Sequence, residues 1–145
     1  MTTLANNYKA RFDYEILETL SAGLELIGSE VKSVRGGKMN LAGSFVGVRG
    51  KEAFLLGADI PPYQPKNTAE GYESTRPRKL LLAKDEIEML STAEGTKGLT
   101  IIPLSVYNKG RFIKLDLAVA RGKKQFDKRQ AIKKRDVERD LKRSL

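Results

Sequence analysis

The stretch that most constrains the fold is FIKLDLAV, Phe112 to Val119, where Ile113, Leu115, Leu117 and Val119 alternate with Phe112, Lys114 and Asp116. Successive side chains of a strand point to opposite faces, so this period of two predicts a strand with one face in a core and the other in water. The run before it, Leu99 to Tyr107, is apolar and rich in β-branched residues. A turn at Asn108-Lys109-Gly110 makes the two a hairpin. Pro103 has no N–H to give to a ladder, which marks an edge or a bulge.

The rest of the chain reads in the same idiom. From Arg11, RFDYEILETL alternates Phe12, Tyr14 and Ile16 against Arg11, Asp13 and Glu15; after Ser21-Ala22-Gly23, Leu24 and Leu26 resume the alternation. This predicts one long strand bent near its glycine. A short helix follows, with Ser29 as N-cap, Val31 and Val34 on its apolar side and Gly36-Gly37 at its end. Phe45 to Val48 and Ala53 to Leu56 form a second hairpin across Gly50-Lys51. Asp59 to Lys79 contains Pro61, Pro62, Pro65 and Pro77 and no periodicity, as expected of a functional or mobile loop. Leu80 to Ala93 reads as a helix with Leu80, Ile87 and Leu90 in one stripe, while residues 1 to 9 show no pattern. Five or six antiparallel strands with two short helices give a mainly β fold with flanking helices. The expected architecture is a closed or partly open antiparallel β-barrel of the oligonucleotide-binding kind.

Charge divides the chain. The last twenty-five residues of 145 hold eleven basic and four acidic residues, a net +7 of the total +9. This predicts an RNA-binding body over residues 1–120 and a basic C-terminal tail over 121–145. Val137, Leu141 and Leu145 form only a narrow stripe, so the tail is expected to be disordered alone and helical once a polyanion neutralises it. A basic balance of this kind points to RNA, DNA or anionic lipid as partner. With no histidine and no cysteine, triads, thiolate nucleophiles and soft metal sites are excluded. We therefore expect a non-enzyme without cofactor or metal. No window of eighteen apolar residues and no signal-peptide pattern occurs, which suits a cytoplasmic monomer without membrane contact.

Within the body, Arg76-Pro77-Arg78-Lys79 is the densest positive cluster, and Arg35, Lys38 and Asn40 surround Gly36-Gly37. That glycine pair lacks the GxxxxGK[ST] spacing of a nucleotide-cradling loop and fits either a helix C-cap or a backbone-phosphate contact. Tyr14, Phe45, Tyr63, Tyr107 and Phe112 are candidate base-stacking aromatics, though single aromatics in strands usually belong to the core. Two other classes fit the same composition: a generic single-stranded-RNA barrel, and an RNA-processing enzyme using carboxylates and magnesium.

Four runs narrow the choice: GSEVKSVRGGKMNL (28–41), KEAFLLGADIPPY (51–63), RPRKLLL (76–82) and ARGKKQFDKRQAIKKR (120–135). In this order they resemble the family of SsrA-binding proteins (small protein B, SmpB), the bacterial partners of transfer-messenger RNA. The likeness covers nearly the whole chain from Asn7 onward. It implies binding to the tRNA-like domain of that RNA and its delivery to stalled ribosomes for trans-translation. The tail would occupy the empty decoding site and mRNA channel. By position, the implied RNA-binding residues are Asn7, Ser33, Arg35, Lys38, Asn40, Arg76, Arg78, Lys79, Leu81 and Lys114. The implied tail residues at the decoding centre are Gly122, Lys123, Lys124, Phe126, Asp127, Lys128 and Arg129. The chain departs from common members at Ser21 (often Glu), Ala83 (often Asn or His) and Phe126 (often His or Tyr).

Overall fold

The computed structural model describes residues 2–64 and 71–123. Among these, ten elements follow in the order β1 (Thr2–Asn6), α1 (Tyr8–Asp13), β2 (Tyr14–Leu24), α2 (Gly28–Arg35), β3 (Phe45–Arg49), β4 (Glu52–Leu56), β5 (Arg78–Leu81), α3 (Lys84–Glu94), β6 (Leu99–Lys109) and β7 (Phe112–Gly122). The strands form one seven-stranded sheet in the order β1-β6-β7-β2-β5-β4-β3, antiparallel throughout. It curls until β3 lies against β6, with α3 packed on both. No ladder among the described residues joins the edges β1 and β3, so the barrel is partly open.

The alternation in β7 becomes the barrel's inner wall: Ile113, Leu115 and Leu117 are buried with Ala22, Leu24, Leu55, Leu80 and Leu90. Each fully buried leucine contributes about 1.5–3 kcal/mol of transfer free energy. Beyond Leu117 the alternation stops, because a second cluster of Ala10, Ile102, Leu104, Ala118 and Ala120 covers the outer face there. Helix α1 therefore buries β6 and β7 on both sides. Pro103 causes a bulge, as the register shifts between Pro103 and Ser105, and not an edge, since β6 lies between β1 and β7.

Several expectations need correction. Residues 2–13 form β1 and α1, so Arg11, Phe12 and Asp13 are helical and β2 starts only at Tyr14. Asn7 makes this start: its Oδ1 accepts from Ala10 N–H at 3.3 Å, and its Nδ2 donates to Pro103 O at 3.0 Å. A six-residue helix burying one alanine is too short to show a period. The bulge of β2 falls between Ile16 and Glu18, while Ser21-Ala22-Gly23 stays in the ladder. Helix α2 starts at Gly28 with Ile27 as N-cap, and Glu30 Oε1, not Ser29, accepts from Ile27 N–H at 3.1 Å.

Residues 78–81 are strand β5, because Leu80 pairs with Leu24 and Ala53; the helix starts only at Lys84. The last hairpin turns at Gly110-Arg111, not at 108–110, with Gly110 at φ +61 as a two-residue primed turn needs. Among the described residues, seven strands and three helices thus replace the five or six and two expected. Strand β7 ends at Gly122, and Lys123 N–H donates to Asp13 O at 2.9 Å.

Candidate nucleic-acid interface

Four parts of the fold meet at one end of the barrel: helix α2, the C-terminal ends of β2 and β5, and the β6–β7 turn. Between them opens a cleft of about 570 Å³. Its apolar lining includes Leu24, Leu26, Val31 and Ile113, while Arg35, Lys109, Arg111 and Lys114 supply four cations. Among the described residues none of the four stands in an ion pair. Phe112 and Leu81 also line it and are 68% and 54% exposed. Gly23 permits the close approach of β5, since a Cβ there would lie 3.2 Å from the Leu81 Cβ. Arg35 is steadied by donating from Nη2 to Arg111 O at 3.2 Å. Uncompensated cations around an apolar floor suit a ligand with a phosphate backbone and exposed bases.

Of the residues expected to face RNA, the structure brings together Arg35, Leu81 and Lys114. Lys38 is exposed just beyond α2, where its N–H caps Ser33 O. Asn40 is exposed, and its Oδ1 accepts from Ala42 N–H. Lys79 points outward from β5 with its Nζ 3.4 Å from Glu52 Oε1.

Three others of the residues expected to face RNA are turned inward. Asn7 is buried as the α1 cap. Ser33 is buried and donates to Pro61 O at 2.7 Å. Arg78 is 0% exposed. Its guanidinium donates to Glu30 Oε2 from Nε at 3.0 Å and Nη2 at 2.5 Å, and from Nη1 to Ala58 O and Ser74 O. Arg76, partly exposed, also donates to Glu30 through Nε at 3.0 Å and through Nη2. Burial alone would raise the Glu30 pKa, but hydrogen bonds from Arg76, Arg78 and the Ile27 N–H outweigh it and hold the carboxyl below its ordinary value.

Sequence reasoning missed Lys109, Arg111 and Gly23. The signal was present in NKGRF, where a tight glycine turn brings two cations and an aromatic to one tip. Among the candidate stacking aromatics, Phe112 alone lines this cleft. Phe45 and Tyr63 are exposed elsewhere, Tyr14 is half-buried against α1, and Tyr107 shares a 2.7 Å hydrogen bond with Ser21. Gly122 and Lys123 lie at the opposite end of the sheet. Gly122 pairs with Tyr14 while Lys114 pairs with Gly23, nine residues along β2 or about 30 Å away. Lys124, Phe126, Asp127, Lys128 and Arg129 fall outside the described residues. Among the described residues no group of three or more acidic side chains could hold a metal ion, and no helix is long and apolar enough to cross a membrane.

The model of the SmpB protein family matches residues 4–145. This chain belongs to the SmpB family. The SsrA-binding protein of Chloroflexus aggregans is similar at 49% identity over 145 residues, covering 100% of this chain and 92% of the relative. That of Gloeobacter violaceus is 49% identical over 142 residues, covering 98% and 93%. A chain of the solved structure "tmRNA-SmpB: a journey to the center of the bacterial ribosome" matches with TM-score 0.69 and 42% identity, covering 88% of this chain and 93% of that one. That chain thus shares the fold of this one over most of both lengths.

Proposed function

We propose that this chain binds the tRNA-like domain of transfer-messenger RNA through the cleft between α2, β5 and the β6–β7 turn. It delivers that RNA to stalled ribosomes for trans-translation. One observation carries the placement of the interface: four cations without ion-pair partners among the described residues ring an apolar floor beside exposed Phe112. The SmpB relatives are named for binding SsrA, and the solved chain belongs to a tmRNA–ribosome assembly. Arg35, Lys109, Arg111 and Lys114 neutralise phosphates, while Phe112 and Leu81 offer apolar surface to an unpaired base. Nothing in this role makes or breaks a bond, so the protein acts as a binding partner and not as an enzyme, in the cytoplasm where ribosomes are.

The basic tail from Gly122 and Lys123 onward is the ribosome-directed part, entering the empty decoding site and mRNA channel. Its root lies at the end of β7 far from the cleft, so one molecule can hold RNA at one end and present the tail at the other. Removing residues 124–145 should leave RNA binding nearly intact and abolish tagging on stalled ribosomes. A scrambled tail of the same composition should fail to restore tagging. Restoration by the scrambled tail would show that charge alone suffices and would overturn the codon-substitute role of GKKQFDKR.

A further inference from the structure

Helix α2 is held from both sides. On its buried side Glu30 bonds Tyr72, Arg76 and Arg78, Ser33 bonds Pro61, and Val34 enters the core, while Val31 and Arg35 line the cleft. Glu30 receives Ile27 N–H, Tyr72 O–H, two donors of Arg76 and two of Arg78, and Ser33 adds its bond to Pro61 O. On the other side Arg35 bonds Arg111 O at the hairpin tip. Glu30 itself is inaccessible, with a side chain 0% exposed. Arg35 lies five positions further along the helix, about 140° around the axis and about 7.5 Å along it. A rotation or slide of α2 would therefore move Arg35 directly. One carboxylate facing two guanidiniums also leaves a surplus positive charge, which Arg76, a third exposed, presents to solvent.

We propose that Glu30 is a positioning residue for RNA binding: from inside the protein it fixes α2, and so Arg35, and it aims the surplus charge of Arg76 outward. This rests on the reading of the cleft as the RNA site. The sign of the effect separates it from plain electrostatics. Glu30→Gln raises the net charge from +9 to +10, and an added positive charge should by itself strengthen attraction to a polyanion. Loss of positioning weakens binding instead.

The experiment measures the affinity of full-length protein for transcribed tRNA-like domain at a temperature far below unfolding, for Glu30→Gln, Arg35→Ala and the double variant. Glu30→Gln should bind about tenfold more weakly, the worth of one charge-assisted hydrogen bond. The double variant should lose clearly less than the product of the single losses, since Glu30 acts in large part through Arg35. Should Glu30→Gln fail to fold, Ser33→Ala replaces it on the same buried side, with an expected loss of about threefold and the same coupling to Arg35→Ala. Unchanged or tighter binding by the folded variant, or strictly multiplicative losses, overturns the positioning role while the cleft stands. If Arg35→Ala alone leaves affinity unchanged, the cleft reading falls, and the positioning role with it.

Discussion

Arg78→Met is the substitution that most sharply divides the two readings of the RPRK cluster. Were Arg78 a phosphate contact, its loss would weaken RNA binding and barely touch stability, as for other exposed charges. The structure dictates the reverse. The substitution takes two charge-assisted hydrogen bonds from Glu30 and a donor each from Ala58 O and Ser74 O, all inside the protein. Breaking a buried pair by removing one partner costs about 3–5 kcal/mol. Glu30 keeps Arg76, Tyr72 and the Ile27 N–H, so the lower part of that range applies. Against a total stability of about 5–15 kcal/mol, this is a large fraction. With a urea slope near about 2 kcal/mol/M, a loss of about 3 kcal/mol moves the unfolding midpoint down by about 1.5 M. The double variant Glu30→Leu with Arg78→Met should recover part of the loss, because no carboxylate is left stranded. A midpoint shift below about 0.5 M, with weakened RNA binding, would refute the structural role of Arg78.

Three further outcomes are expected. Replacing Lys109 and Arg111 together by alanine should reduce the slope of log affinity against log salt by about 0.7–0.9 for each phosphate no longer neutralised, with little change in melting temperature; an unchanged slope would move the interface elsewhere. Phe112→Ala should cost about 1–3 kcal/mol of RNA affinity if a base stacks on the ring, and Phe112→Tyr should restore most of it; equal affinity for all three proteins would exclude stacking. The carboxyl of Glu30 is held below its unfolded value near 4.5, so its contribution to stability is present above that pH and is lost as pH falls through the lower folded value. Acid unfolding of Glu30→Gln should lack that component, and superimposable pH–stability curves would contradict the shift.

Those parts of the fold that rest on local pattern are legible in the sequence. The period of two in Phe112–Val119, the β-branched run before it and the Gly50 turn give the two hairpins. Gly36-Gly37 ends α2, and four motifs identify the family, because each of these signals is contained within a few neighbouring residues. Arg35, Leu81 and Lys114 follow from the same motifs, and all three line the cleft.

The remainder depends on partners that are distant along the chain. Asn7 looks like an unremarkable polar residue until Pro103, ninety-six positions away, offers it a carbonyl. Arg76, Arg78 and Lys79 form one basic cluster in sequence. Strand β5 then sends Arg78 inward beside Leu80 and turns Lys79 outward with Leu81. What makes the inward position tolerable for a guanidinium is Glu30, forty-eight residues earlier on another element. A buried charge is stable only with its partner, and no local pattern encodes where that partner will be. The cleft has the same origin: its cations come from α2, the end of β6, the hairpin turn and β7, and only the curl of the sheet brings them together.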